Sequence, residues 1–402
     1  MKILFVNAYF APENIAFSHL EQDLIEGILK KGHEIEVLCP VPTRGISKET
    51  AKAYKKRKQE TMFDGKVSVT RFWAPQEGRN PLIRAFRYFW CNWRQYRLGR
   101  KRKGVDAIFA VSTPPTQGWL AGKLAKKLRC PLIYSLQDIF PDSLVTTGMT
   151  KEGSMLWKIG RKLENRTYKG AGQIVVISQA MKRNILAKGV PEEKIQVISN
   201  WADTDAVQPV EKADNKLFEE FGIDREKFTV VYAGNFGAFQ GADVILEVAE
   251  KLPQVQFVIF GGGAEFTAAK EKASQLSNVI ANGLLPQNRV PEVYSLGDVA
   301  LIIGKKGVSR NGLPSKTWSI MACGTPIVAA FDTDSILAEI LQEAHAGICV
   351  EPENSDALAG AIIEMKEHAE DYHGGRSYVN QNASRAICVE RYLEILQQPY
   401  EG

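Results

Sequence analysis

Short β-branched and aliphatic runs alternate along this chain with longer stretches whose apolar residues recur every three to four positions. In the first half the short runs predict strands at 3–7, 34–39, 67–72, 107–111, 132–135, 173–177 and 195–198. The longer stretches predict helices at 18–31, 82–101, 117–128, 155–169 and 179–187. The second half repeats the pattern. Strands are expected at 229–232, 256–260, 279–281, 299–303, 326–329 and 347–350. Helices are expected at 242–251, 265–275, 291–295, 315–322, 335–343 and 356–367, with a closing amphipathic segment at 384–396. Such βα repetition predicts a doubly wound parallel sheet in each half, an α/β class. Residues 200–214 carry Asp, Pro and alternating charge without a period and read as the linker. Open α/β sheets bind ligands outside the carboxyl ends of their strands, so a facing pair predicts sites on a central cleft.

Composition narrows the field. A chain of 402 residues is long enough for two or three domains with cores that need no disulfides. Its six Cys are scattered singly, without CxxC, which fits reduced thiols in the cytoplasm. With five His and no HExxH, a protein-built zinc centre is not expected. No run of 18 uncharged apolar residues occurs, so no spanning helix is expected, and the N-terminal apolar run lacks a cleavage site. The net charge of +5 conceals +18 on residues 1–200 and −13 on residues 201–402. That contrast implies two units with different partners, the basic one facing an anionic surface.

Five segments could carry chemistry. In "YAGNFGAFQG" a strand runs into Gly234, Asn235, Gly237, Gln240 and Gly241, whose open backbone suits a phosphate or sugar; the bland reading is a tight βα turn. "FGGGAEF" places Gly263 before a helix, yet Phe266 stands where a dinucleotide loop needs glycine. In "KKGVSRNGLPSKTW" a polar loop with Lys305, Lys306 and Arg310 leads to Leu313, Pro314, Ser315 and Lys316 at a helix start. Ser315 could cap that helix. Lys316 opposes the helix dipole, so a bound anion explains it better than helix stability does. Asp138, at the end of a strand in "YSLQDIFPDS", suits sugar hydroxyls or a developing positive charge, whereas Asp142 and Ser143 read as helix caps. Finally, residues 79–103 hold nine Lys or Arg and no acid, interleaved with aromatics. Arg87, Trp90, Trp93, Arg94, Arg97 and Arg100 there read as a helix lying on an anionic membrane; a solvated face and a nucleic-acid patch are the alternatives, and no nucleic-acid module signature is present.

The segments "YFAPEN", "KKGHEIEVLCPVP", "DIFPDS", "VISQAMKRNILAKGVPEEKIQVISNWAD", "GNFGAFQG", "FGGG" and "LPSKTWSIMACGTPIV", in this order and spacing, resemble bacterial glycosyltransferases of family four over nearly the whole length. The pattern is most similar to the fucosyl- and fucosamine-transferase-like subgroup of surface-polysaccharide synthesis. The resemblance implies the GT-B fold. It implies an acceptor-binding Rossmann-like domain at 1–202, a nucleotide-sugar-binding one at 203–375, and a segment at 376–402 that crosses back to the first. It further implies a metal-independent, retaining hexosyltransferase without a cofactor, taking a UDP-linked amino- or deoxy-sugar as donor. The basic–aromatic run adds the expectation of a lipid-linked acceptor, on a polyprenyl diphosphate, at the inner face of the membrane. Asn14, Ala16, Phe17 and Ser18 would lie on the acceptor side. The family's paired glutamates fall at Asn311 and Ser319, and a cation usual near the glycine loop is replaced by Asn235 or Gln240. Lys305, Lys306, Arg310 and Lys316 must then supply the positive charge. Those departures leave two further readings: a catalytically silent partner that binds nucleotide-sugar or membrane, and a nucleotide-sugar epimerase.

Overall fold

The computed structural model describes residues 1–13, 17–77, 80–146, 148–237 and 241–398; the side chains of Pro81, Leu82, Thr146, Arg310 and Asn311 also fall outside the description. Contacts divide the chain into two units, Met1–Ser199 with Cys388–Gly402, and Asn200–Ile387.

The first unit runs β1 Lys2–Val6, α1 Ser18–Lys30, β2 Glu34–Pro40, α2 Lys48–Tyr54, β3 Gln59–Met62, β4 Val67–Phe72, α3 Pro81–Gly99, β5 Ala107–Val111, α4 Thr116–Leu128, β6 Leu132–Leu136, α5 Asp142–Thr146, α6 Met155–Gly170, β7 Gln173–Val176, α7 Gln179–Ala187 and β8 Ile195–Val197. Its sheet has the order β3-β4-β2-β1-β5-β6-β7-β8. Every neighbour is parallel except the edge strand β3, which pairs antiparallel with β4. Being covered on both faces, the inner strands read as unbroken apolar runs; Ile3, Leu4, Phe5 and Val6 are all fully buried. The steps from β4 to β5, β5 to β6 and β6 to β7 all go the same way across the sheet. Right-handed crossovers therefore put α3, α4 and α6 on one face, and α4 touches both of its neighbours.

The second unit carries α8 Leu217–Glu220, β9 Thr229–Asn235, α9 Asp243–Lys251, β10 Gln256–Gly262, α10 Phe266–Ala273, β11 Val279–Gly283, α11 Val290–Tyr294, β12 Val299–Ile303, α12 Lys316–Ala322, β13 Ile327–Ala330, α13 Ile336–Glu343, β14 Gly347–Val350, α14 Ser355–Glu367 and α15 Gly375–Asn382. Its six strands, ordered β11-β10-β9-β12-β13-β14, are all parallel. The winding reverses between β9 and β12, which opens a crevice at the carboxyl ends of those two strands. The last helix, α16 Arg385–Gln397, belongs to the first unit from Cys388 onward. There the Tyr392 hydroxyl meets the Ser135 hydroxyl at 3.0 Å, and Gly27 of α1 gives Val389 room for a close helix approach.

Five elements have no counterpart in the sequence pattern: β3, α2, α15 and the one-turn helices α5 and α8. Strand β3 alternates exposed and half-buried positions, and α2 buries nothing, so neither leaves an apolar period to find. Helix α15 buries only Gly375 and Val379.

Candidate functional site

A cavity of about 720 Å³ opens in the second unit at the crevice between β9 and β12. Ala233, Gly234 and Asn235 at the end of β9 form one wall, and Ile302, Ile303 and Gly304 at the end of β12 another. Leu313, Pro314, Ser315 and Lys316 close it from the start of α12. The Lys316 side chain reaches back beneath β9, donating to the Ala233 carbonyl at 2.7 Å and lying 4.3 Å from the centre of the Tyr232 ring. Removal from water lowers its pKa from 10.5 to about 8. Among the described residues no carboxylate pairs with it. Gly234 makes the arrangement possible: a Cβ there would stand 2.5 Å from the Lys316 Nζ. A half-buried ammonium with no carboxylate partner among the described residues, at the mouth of an open cavity, is an electrostatic demand for an anion.

Ser315 does not cap α12. Its backbone is already helical and its hydroxyl accepts no helix N–H, while the Thr317 hydroxyl donates to the Pro314 carbonyl at 2.7 Å. The capping expectation fails because Ser315 already takes helical backbone angles, leaving it exposed on the cavity wall. Gly237, Gly241, Gly263, Lys305, Lys306 and Ser319 lie off this wall. Gly241 packs on the Lys305 stem, and Gly263 lies against the Phe236 backbone, so close packing accounts for both. Gln240 and the side chains of Arg310 and Asn311 lie outside the described residues.

The loop between β12 and α12 is held by a residue that the sequence did not single out. Asp332, just after β13, accepts the Gly307 N–H at 2.8 Å and the Ser309 N–H at 3.0 Å. Leu284, Gln287 and Tyr294 also join the cavity wall. They follow β11 in an unremarkable polar stretch, so no motif marked them.

In the first unit Asp138 sits exposed just beyond β6. Crowding by the surrounding chain still raises its carboxyl above the usual range, opposed by hydrogen bonds from Ser143 and the Ile139 N–H. Asp142 is no simple cap: Lys188 reaches it at 2.7 Å, Asn184 at 3.1 Å and Arg161 at 3.2 Å. Asn14 and Ala16 lie outside the described residues. Phe17 is buried, and the Ser18 hydroxyl donates to the Glu13 carbonyl at 3.1 Å. Glu13 is itself an anchor, its carboxylate accepting the Thr43 N–H at 2.7 Å and the Arg44 N–H at 2.9 Å.

The basic–aromatic helix α3 sorts its residues by period. Arg87, Cys91 and Gln95 share the buried side. Arg87 is therefore not a membrane-facing residue: it is 1% exposed and donates to the Pro75 carbonyl. Trp90 is half-buried, its indole N–H donating to the Trp73 carbonyl at 2.8 Å, and Arg94 is half-buried over Phe72. Trp93, Arg97 and Arg100 do face outward.

Comparison with known proteins places this architecture. A "Glycosyl transferase 4-like domain" model matches residues 22–201, and a "Glycosyl transferases group 1" model matches residues 213–382. The chain belongs to the family-four, group-one glycosyltransferases. The transferase is 29% identical over 299 residues to the probable glycosyltransferase WbjE of Pseudomonas aeruginosa, covering 73% of the chain and 74% of that relative. It is 26% identical over 410 residues to the putative colanic acid biosynthesis glycosyl transferase WcaI of Escherichia coli K12, covering 98% and 99%. Among solved structures it is similar to Anabaena Alr3699/HepE in complex with UDP, with a TM-score of 0.70 at 17% identity over 98% of the chain and 99% of that one. That likeness shows the fold of the transferase, GT-B, with two Rossmann-like units.

Proposed function

We propose that this transferase moves a sugar from a nucleotide-sugar, UDP-linked, to a lipid-linked acceptor in cell-surface polysaccharide synthesis. The observation that carries the donor half is the Lys316 ammonium, half-buried at the mouth of the β9–β12 cavity with no carboxylate partner among the described residues. A diphosphate seated there would meet a preplaced positive charge, which stabilises it as a leaving group without a metal. The apolar Leu284 and the amide of Gln287 on the same wall suit a nucleobase. HepE, of the same fold, binds UDP, and WcaI is named for colanic acid biosynthesis; both support the reading.

In this reading the first unit takes the acceptor. Asp138 is the acidic group that engages sugar hydroxyls and the positive charge that grows at the anomeric carbon, and its raised pKa suits proton transfer. Transfer retains the anomeric configuration, the sugar is an amino- or deoxy-sugar of the fucosamine type, and the acceptor is a polyprenyl diphosphate at the inner membrane face. The family assignment does not favour the silent partner or the epimerase. A thermal-shift screen against UDP-, GDP-, ADP- and dTDP-sugars without divalent metal tests the donor. Selective stabilisation by a UDP-sugar is expected. Stabilisation by another base alone, or only with metal added, would overturn the donor assignment.

A further inference from the structure

Among the described residues eleven large apolar side chains are exposed. Four of them, Ile83, Phe86, Phe89 and Trp93, project from α3, and three, Met155, Leu156 and Ile159, from α6. Trp73 and Met149 lie in the segments leading into those two helices, and only Met1 and Leu284 lie elsewhere. Exposure reaches 70% at Phe89 and 80% at Met155. Concentration of this kind marks an interaction surface.

Topology shows that the two groups share one edge. Strands β4, β5, β6 and β7 are parallel members of one sheet. Helices α3, α4 and α6 each return the chain from the carboxyl end of one strand to the amino end of the next. They therefore run in the same direction, side by side, with α4 between the others. At the usual 8–10 Å spacing, α3 and α6 are about 20 Å apart. Their first halves, which carry most of the exposed apolar residues together with Arg84 and Lys158, line the carboxyl edge of the sheet. Towards their ends the three helices carry exposed cations: Arg97 and, just beyond α3, Arg100; Lys126 and Lys127 on α4; Arg166 on α6, with Lys162 at its middle.

Cations at helix C-termini also complement the helix dipole, but that does not account for the missing acids. Helices α3 and α4 contain none, and the one acid of α6, Glu164, is buried and paired with Arg161 and Lys188. Each helix further carries a Trp under a cation, with Arg97 5.4 Å from Trp93, Lys123 3.8 Å from Trp119 and Arg161 5.0 Å from Trp157. Between α3 and α4 a groove of about 640 Å³ has Phe89, Trp93 and Trp119 on its walls and Lys123, Lys126 and Lys127 at its basic end. Protein interfaces are depleted in Lys. Tryptophans at an apolar edge, backed by exposed cations, match the layering of an anionic bilayer.

We infer that the outer face of α3, α4 and α6 is a bilayer-docking surface: its apolar edge enters anionic phospholipid, the cations behind it neutralise headgroups, and the α3–α4 groove seats one lipid. The inference rests on the reading that the acceptor is membrane-borne, and it extends that contact from one helix to three. The test is flotation of the full chain with vesicles of phosphatidylcholine alone or mixed with phosphatidylglycerol. The parent should float only with the anionic vesicles. Three double variants, Phe86→Ser with Phe89→Ser, Met155→Ser with Ile159→Ser, and Lys126→Glu with Lys127→Glu, should each lower the bound fraction about tenfold. Nucleotide-induced thermal shifts should be unchanged in all three, which also verifies that they fold; the exposed lysine pair keeps the test alive if an apolar variant does not. Loss confined to the α3 variant would overturn the three-helix surface while leaving a membrane-borne acceptor standing. Failure of the parent to float would overturn both. An altered particle mass without altered flotation would make this face a protein interface and overturn the inference.

Discussion

The donor cavity of the second unit and the helical face of the first place their cations in opposite ways. In the cavity a single ammonium is held half out of water, fixed by a carbonyl at 2.7 Å and given room by a glycine. On α3, α4 and α6 the cations are many, solvated and interchangeable. A charge held partly out of water is worth more to a ligand because less water competes with it, whereas solvated charges act in number and are screened by salt. Specific recognition of a small anion therefore belongs to the first arrangement, and contact with an extended anionic surface to the second.

The largest expected effect comes from removing the cavity charge. Lys316→Ala should weaken UDP-sugar binding by roughly thirtyfold or more, measured by calorimetry; equal affinity would erase the contrast between the two regions. Next, Gly234→Ala should fold normally, since the crowded neighbour is the tip of a flexible side chain. It should still weaken donor binding about tenfold by displacing the ammonium. Within α3 the same contrast recurs between two arginines. Arg87→Ala removes a buried hydrogen-bonded group and should cost about 2 kcal/mol of stability, while exposed Arg97→Ala should stay within about 0.5 kcal/mol. Chemical denaturation separates them.

A separate, pH-dependent effect concerns Glu21, buried in the first unit, where the Asn7 amide donates to its carboxylate. Burial pushes this carboxyl from 4.5 up to about 8, the Asn7 hydrogen bond pulling the other way. The fold keeps the proton between those values while the unfolded chain releases it, so stability falls as pH rises through that window. Glu21→Gln should flatten the decline, exceeding the parent by several kcal/mol near pH 9 and matching it near pH 4.5. Parallel stability curves for the two would contradict the buried proton.

How much of this was legible in the sequence follows from the same contrast. Strands β4, β5, β12 and β14 lie where the sequence places them; β5 and β12 are buried on both faces and leave continuous apolar signals, whereas β4 alternates and the edge strand β14 is half-buried. The Gly234–Asn235 turn and the Leu313–Lys316 segment could be read because their residues are local in sequence and unusual for their positions. Asp332 could not, since it acts through hydrogen bonds to a loop more than twenty residues away. The basic–aromatic run was visible, but its composition did not say which side chains turn inward. The register of α3 against its sheet decided that, burying Arg87 and exposing Phe86 and Phe89.

The most direct test of the donor site is UDP-sugar affinity measured across pH 7 to pH 9.5 without divalent metal, for the parent and for Lys316→Ala. With the ammonium losing its proton near pH 8, parent affinity should be high at pH 7 and fall as pH rises through about 8, whereas the variant should bind weakly with a flat profile. A flat profile in the parent, or equal affinities at pH 7, would contradict a donor site built on Lys316.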